Sequence, residues 1–401
     1  MPNTLITNKL ATMVAVRAAE AAPYLTVGSK AYFKNQLADK NNGQSYDFYV
    51  KDVGGVVNRL AYQEGDKNTL TERKVTLSLD PWHILITTNS IEKVTDVEDW
   101  EDEIARPNGV ALIQGVVRKT INNDLGKVGA AFVGSGFTPL SQANGHLASI
   151  VNGDLYGFVS PQIEAILTSN GQQFQPVNAP DMYSQGLLGR FHGAEFRSQR
   201  FFPVVQVSQD LSNAMNAGKV TGAVDNEDGT FTITASGFTA GITIPKGYPL
   251  FIDGVKACDT VGDVTDADQV FVVLESVVTT GATVGLKVRS KHLVAGGTRE
   301  IATADGVSFA SAANITGNTI GVDAGKYYTG IVRCEGAEEF ETLDKLDAAG
   351  ADYERSPEVV GIFVHQNRIV DLKEMTNDTR WDIVTLAGCV EGRAVAMVYC
   401  K

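Results

Sequence analysis

Along this chain the clearest pattern is a single apolar stripe. Val110, Ile113, Val117, Ile121, Leu125, Val128 and Phe132 follow one another at steps of three or four, and Arg118, Lys119, Asn122, Asn123 and Lys127 fill the opposite side. That period belongs to an amphipathic helix with one buried face. Pro107 suits a first helical turn, where its missing N–H costs nothing. The acidic residues Asp99, Glu101, Asp102 and Glu103 precede it, on the side that the helix dipole favours. The spacing predicts one helix over 107–132, a rod of roughly 38 Å, ended by Gly134-Ser135-Gly136.

Ahead of the stripe the period changes to two. Tyr46, Phe48 and Val50 share one face of a strand, and Val75, Leu77 and Leu79 share one on the return. Gly54-Gly55 and the charged Glu64, Asp66 and Lys67 lie between them. A hairpin so poor in apolar residues near its tip cannot form its own core, so it must lie on something else. Further upstream, Leu10, Met13, Val14, Arg17 and Ala21 predict a helix over 8–22, stopped by Pro23, with a polar surface arm over 24–45.

Downstream of the stripe, 147–206 reads as mixed α/β. Leu155, Tyr156, Phe158 and Val159 suggest a buried strand, and Pro161–Thr168 a helix with Ser160 as its N-cap. Gly189 to Val204 suggests a strand pair. Composition shifts near Asn216. Short strands at Thr230–Ala235, Pro249–Ile252, Val270–Leu274, Thr283–Val288 and Val307–Phe309, separated by Gly- and Pro-containing turns, predict a small inserted β-barrel or sandwich. Val359–Ile369 reads as a helix. Asp382–Leu386 and Arg393–Val398 read as closing strands, the last covered on both faces because its alternation is weak.

Charge and composition narrow the function classes. A net charge of −13 disfavours a sequence-independent nucleic-acid binder, which needs clustered Lys and Arg, but does not exclude a container for DNA, whose inner wall benefits from repelling the polymer. Cys258, Cys334, Cys389 and Cys400 stand far apart with no zinc spacing, so free thiols in a reducing compartment are expected. The N-terminus lacks a signal-peptide pattern, and no apolar run of membrane-spanning length occurs, so folding in a cytoplasm is expected and no membrane partner.

Candidate chemistry is sparse. His83, His146, His192, His292 and His365 form no helical metal pair, Gly134-Ser135-Gly136 is not a nucleophile elbow, and no phosphate-binding loop occurs. No cofactor, metal or catalytic residue is therefore assigned. Asp225-Asn226-Glu227-Asp228-Gly229 and the run Asp263 to Asp268, which includes Asp266, lack the ligand order calcium needs; they read as tight turns or charged contact loops. Glu64, Asp66, Lys67, Glu72, Arg73 and Lys74 read as a charged hairpin that either is solvated or docks on a neighbouring subunit.

The order of these segments resembles the major capsid (coat) protein of tailed bacteriophages, of the Salmonella podovirus type with an extra inserted β domain. Val75 to Leu125 is similar to the return strand, acidic connector and spine helix. LYGFVSPQIEAIL (Leu155 to Leu167) and GRFHGAEFRSQRFFPV (Gly189 to Val204) are similar to central-domain elements. FTITASGFTAGITIPKGYPLFIDGV (Phe231 to Val255) is similar to the inserted barrel. VVGIFVHQNRIV (Val359 to Val370) and TRWDIVTLAGCVEGRAVAMVY (Thr379 to Tyr399) are similar to the returning helix and closing strands.

The resemblance implies an α+β, Hong Kong 97-like capsid fold. Its parts would be an N-terminal arm (1–45), an extended β-hairpin loop (46–81), a peripheral domain with the spine helix (82–138), a split central domain (139–212 and 353–401) and the inserted barrel with its following segment (213–352). It implies a non-enzymatic virion protein, assembled in the host bacterial cytoplasm into hexamers and pentamers of an icosahedral shell. Scaffolding protein and portal would guide assembly, a decoration protein is an optional partner, and packaged double-stranded DNA would be held without sequence-specific contacts. Lys51, Lys67 and Lys74 could be imagined as cross-linking lysines, but the branch with an inserted domain is generally not cross-linked. An encapsulin-like nanocompartment shell and a β-rich binding module are the alternatives.

Overall fold

The computed structural model describes residues 4–32, 45–51, 72–89, 104–150, 153–169, 187–191, 193–226, 230–258, 264–280, 283–289, 301–303, 317–321, 323–344, 352–371 and 376–401. It is an α+β protein of two compact units. One comprises Met1–Phe48, Val75–Asn122 and Glu338–Val390, the other Tyr49–Lys74, Asn123–Ala337 and Glu391–Lys401.

The described helices are α1 (Thr4–Glu20), α2 (Pro23–Thr26), α3 (Arg106–Asp124), α4 (Thr138–Ile150), α5 (Pro161–Ser169) and α6 (Gln209–Asn216). The strands begin with β1 (Ser45–Lys51), β2 (Glu72–Ser78), β3 (Asp80–Asn89), β4 (Ala130–Gly134), β5 (Leu155–Val159), β6 (Leu187–Phe191), β7 (Ala194–Ser198) and β8 (Val204–Val207). A β-rich run follows: β9 (Lys219–Asp225), β10 (Thr230–Ser236), β11 (Thr243–Ile244), β12 (Pro249–Cys258), β13 (Val264–Val273), β14 (Val277–Val278), β15 (Thr283–Arg289), β16 (Ile301–Thr303) and β17 (Ile320–Gly321). The chain closes with β18 (Gly325–Cys334), β19 (Glu338–Thr342), β20 (Asp352–Arg355), β21 (His365–Asp371), β22 (Thr376–Cys389) and β23 (Val395–Cys400).

In the first unit β22 organises the sheet. β3 runs antiparallel along Thr376–Thr385, β21 along Thr376–Asp382 and β19 along Thr385–Cys389, and β20 pairs with β21. Helix α3 buries Leu112, Ile113, Val116, Val117, Thr120 and Ile121 and exposes Arg118, Lys119, Asn122 and Asn123, the division its stripe predicts. Two glycines let it come close to its neighbours. A Cβ on Gly115 would stand 2.8 Å from the Trp82 ring of β3, and one on Gly109 would stand 2.6 Å from the Val14 carbonyl of α1.

The helix is shorter than its stripe. It ends at Asp124, so its 19 residues make a rod of roughly 28 Å. Gly126 and Lys127 turn back onto the Asn123 and Asp124 carbonyls, and Phe132 belongs to β4, parallel to β23. Val128 and Phe132 are buried, but in a loop and a strand. Gly126 and Gly129 weaken continuation of the helix, and pairing with β23 satisfies the same backbone groups. Gly134-Ser135-Gly136 therefore follows a strand, not the helix.

The second unit holds two seven-stranded sheets. The first has the order β4-β23-β18-β5-β7-β6, with β8 also on β18. Its pairs β4–β23 and β5–β7 are parallel. Every residue of β23 is buried, the double-sided cover its weak alternation predicts. Gly157 on β5 admits the Phe196 ring of β7, which a Cβ would meet at 2.2 Å. Ser160 precedes α5 as expected, but its buried hydroxyl makes no hydrogen bond among the described residues; Pro161 at the first helical position does the starting.

The second sheet, the β-rich insertion, has the order β16-β12-β13-β15-β10-β9, with β17 on β12. The expected barrel is not closed. Among the described residues no ladder joins the outer strands β9 and β16; residues 317–321 link β9 to β12, through Val220 N–H to Asn318 O (3.0 Å), Gly317 N–H to Val220 O (2.8 Å) and the two-residue pairing of β17 with β12. The expected strand at Val307–Phe309 lies outside the described residues.

The segment VVGIFVHQNRIV is not a helix. Val359–Ile362 is a tight turn and His365–Asp371 is β21. Apolar runs of this length cannot be assigned by periodicity alone, and Gly361 at φ 77° together with three β-branched neighbours favours turn and strand. Pro23, expected only to stop α1, also opens the short α2.

Candidate subunit interface

The β1–β2 pair is anchored at one end. Tyr46 and Leu77 are buried with Leu386 and Val390, and Phe48, Leu79 and Leu343 pack against them. The Tyr32 ring lies 5.1 Å from that of Phe48. Across the pair Thr76 Oγ1 donates to Asp47 Oδ1 at 2.7 Å. Burial, with the Glu341 carboxylate adding to it, raises the Tyr46 phenol above its ordinary pKa, so it stays neutral. One step outward the environment reverses: Tyr49 is 58% exposed and Lys74 is exposed. The pair does lie on something, namely β22 and the turn after it, through its base.

The charged residues expected to make contacts are distributed unevenly. Lys74 is exposed on β2, and Glu72 and Arg73 lie in the same strand. Glu64, Asp66 and Lys67 lie outside the described residues, as do Asp228 and Asp263. Asp225 ends β9. Asp266 sits inside β13, which starts at Val264, and not in a turn or contact loop; the strand continues N-terminal to the apolar stretch because β12 extends to Cys258 and pairs with Val264. The structure therefore brings Glu72, Arg73 and Lys74 onto one strand end.

A second exposed region surrounds β3. Its residues alternate, with Pro81, His83, Leu85 and Thr87 exposed and Trp82, Ile84 and Ile86 turned to the other face. Leu85 is 59% exposed and stands opposite Arg380. Lys119 of α3 pairs with Asp80 at 2.6 Å and lies 5.9 Å from the Trp82 ring centroid. An exposed pair of this kind is worth about 0–1 kcal/mol, so it orients more than it stabilises.

Sequence reasoning also missed Val360. Val360 is 66% exposed at the tip of the Val359–Ile362 turn. The signal was Gly361 within an otherwise β-branched run, four residues after Pro357. Three of the four cysteines, Cys334, Cys389 and Cys400, are buried free thiols, as their spacing suggests. Among the described residues no cluster of His, Cys, Asp and Glu could hold a metal ion, and no helix is long and apolar enough to cross a membrane.

No family model and no curated protein matches the chain. Solved structures similar to it include one titled capsid of Ralstonia phage GP4 (TM-score 0.44, 7% identity, covering 95% of this chain and 89% of that one). Another is from Mycobacterium phage Che8 (TM-score 0.43, 10% identity, 93% and 90%). A third is the virus-like particle from Pyrococcus furiosus (TM-score 0.38, 7% identity, 97% and 97%). At these scores no function passes from those proteins to this chain.

Proposed function

We propose that this chain is the major capsid protein of a tailed double-stranded DNA bacteriophage, and that its work is to bind copies of itself into an icosahedral shell. The observation that carries the reading is the anchored arm: β1 and β2 have a base buried against Leu386 of β22 and Val390 after it, while Tyr49 and Lys74 just beyond that base are exposed. A strand pair held at its base and too polar outside to fold alone is suited to reach a neighbour. In the unit that holds the base of the pair, α3 lies against β3 through Gly115 and Trp82.

In this reading the arm, with Glu64, Asp66, Lys67, Glu72, Arg73 and Lys74, docks on an adjacent subunit. The β-rich insertion, with Asp225, Asp228, Asp263 and Asp266, touches a neighbouring capsomer. Contacts that are individually weak suffice because closed symmetry repeats them and fixes their register. The division into arm, extended loop, peripheral domain, split central domain and insertion belongs to the same proposal, as do a virion location, assembly in a bacterial cytoplasm, scaffolding and portal partners, and DNA held by enclosure. The net charge of −13 fits a wall that repels the polymer it contains.

The test is electron microscopy of the purified chain over a range of protein and salt concentrations. Closed shells, or hexameric and pentameric rings, are expected. Discrete monomers under every condition would remove the reading, and shells that co-purify with an enzyme cargo would move it to a nanocompartment.

A further inference from the structure

We infer that the Val359–Ile362 turn is a contact knob that seats the Val360 side chain on a second copy of this chain; the inference rests on the shell reading above. Val359 and Ile362 exchange both backbone hydrogen bonds, each at 3.0 Å, around two residues with positive φ, Val360 at 51° and Gly361 at 77°. That is a two-residue turn of type I′, which favours Asn-Gly, Asp-Gly or Gly-Gly. A valine fits it badly, because a β-branched side chain in the left-handed region is a steric outlier. Among the described residues Val360 is the one non-glycine with positive φ.

The described residues give the Val360 side chain little cover. At 66% exposure the side chain reaches solvent, and it is the most exposed large apolar residue described. The surrounding backbone is nevertheless rigid. Ser356 N–H donates to Val364 O, and Val364 N–H to the Ser356 hydroxyl, so the excursion from β20 to β21 is a closed hairpin. Ile362 and Val364 are fully buried at its base. The buried Thr342 hydroxyl donates to Gly361 O at 3.0 Å and accepts from Phe363 N–H at 2.8 Å, which staples the turn to β19. An apolar group is thus held rigidly in water, in a conformation that costs stability. Strain of this kind persists at sites where it is used.

The size of the knob selects the occupant. One valine, flanked by exposed Pro357 and Glu358, covers far less than the roughly 800 Å² per partner that a stable pair of different proteins buries. Repeated around closed symmetry, the same small contact is made by every copy and the contributions sum. Copies that each carry a net charge of −13 repel one another, so a short-range apolar contact suits them better than an acidic rim.

The test uses the full chain, Val360→Asn, which suits the turn, and Val360→Thr, which keeps the branching and loses an apolar methyl. Thermal melting of the unassembled chain and the concentration at which light scattering reports particles are measured together. Val360→Asn is expected to melt higher than wild type, yet to need roughly tenfold more protein to assemble; Val360→Thr melts with wild type and assembles between the two. If wild type assembles and Val360→Asn does so at the same concentration, the knob is refuted and the shell reading stands. Val360→Asn melting lower than wild type refutes the strain argument. Wild type that stays monomeric at every concentration overturns both.

Discussion

In the β22 sheet, Glu338, Glu339, Glu341, His365, Gln366, Asp382 and Thr385 are all buried, whereas β23 of the other unit is buried along its whole length by Val395, Ala396, Met397, Val398, Tyr399 and Cys400. In the first sheet the buried groups hold one another in place by direction. Trp381 Nε1 donates to Gln366 Oε1 at 3.1 Å, and Asp382 accepts from Arg380 Nε at 2.8 Å and Asn367 Nδ2 at 3.1 Å. The Leu343 carbonyl can only accept, so His365 Nε2, 2.8 Å away, carries the proton. His365 Nδ1 then accepts from the Tyr353 hydroxyl at 2.5 Å, and the imidazole is neutral. The second sheet is apolar along β23 and is held largely by shape, as where Phe196 fills the space over Gly157; its buried polar groups are fewer, chiefly Thr329 and Arg333 on β18 and the Tyr399 hydroxyl, which donates to Gly247 O at 2.9 Å. Polar burial ties a sheet to pH and to complete hydrogen bonding; apolar burial ties it to volume and dryness.

The comparison breaks most severely where the dry sheet is made polar. Val398→Asp would place a carboxylate without a partner at a fully buried position of β23. A cost above about 4 kcal/mol is expected, read as loss of soluble folded protein by circular dichroism. A soluble variant with native melting would mean that the strand is not dry.

The next effect belongs to the polar sheet. Gln366→Leu keeps an apolar volume but leaves the Trp381 indole N–H, on a residue 1% exposed, without its acceptor. About 1–3 kcal/mol of destabilisation is expected in chemical denaturation. An unchanged midpoint would show that the buried polar groups are passive.

Acid sharpens the contrast further. Burial pushes the His365 pKa below its ordinary 6.5, and this outweighs the hydrogen bond to Leu343 and the nearby Asp382, which favour the proton; Arg355 adds to the lowering. The folded state therefore disfavours protonation. The stability His365 contributes is complete above about pH 6.5 and is lost as pH falls from there through the lower folded value. Protection of the amides in β20, β21 and β22, taken relative to the intrinsic exchange rate at each pH, should fall between pH 7.5 and pH 5.5, and His365→Gln should remove the part due to the imidazole. An equal loss of protection in wild type and variant would assign the effect to the carboxylates instead.

The smallest effect is kinetic. Burial raises the Cys334 and Cys400 thiols to about 12, so iodoacetamide at pH 8 should label neither until the dry sheet opens. Labelling of the native protein at the rate of a free thiol would contradict that packing.

Legibility in the sequence followed the same divide. Strands β10 and β15 were readable because alternating Thr and apolar positions lie between Gly-bearing turns, and β23 because an unbroken apolar run needs cover on both sides. The polar sheet was hidden. The carboxylate of Glu339 accepts from Tyr32 N–H at 2.8 Å across 307 residues of chain, and no local pattern marks a glutamate for burial. The same holds for the candidate interface. Charge composition singled out Lys74 and its neighbours, but Val360 shows its exposure and its φ only once Thr342 has fixed the turn.

What the sequence alone determined is whatever depends on neighbours a few residues away: the buried face of α3 from Ile113 to Ile121, the alternation of the insertion strands, and the turns that Gly and Pro allow. Tertiary structure decided where those patterns stop and which polar groups go inside. Val128 to Phe132 and Val359 to Val370 are apolar enough for helix or strand, and their fate was set by distant partners. β4 found an edge on β23, and β21 an edge on β22. A backbone hydrogen bond takes whichever satisfied arrangement the rest of the chain offers, and that offer is not written in any local period.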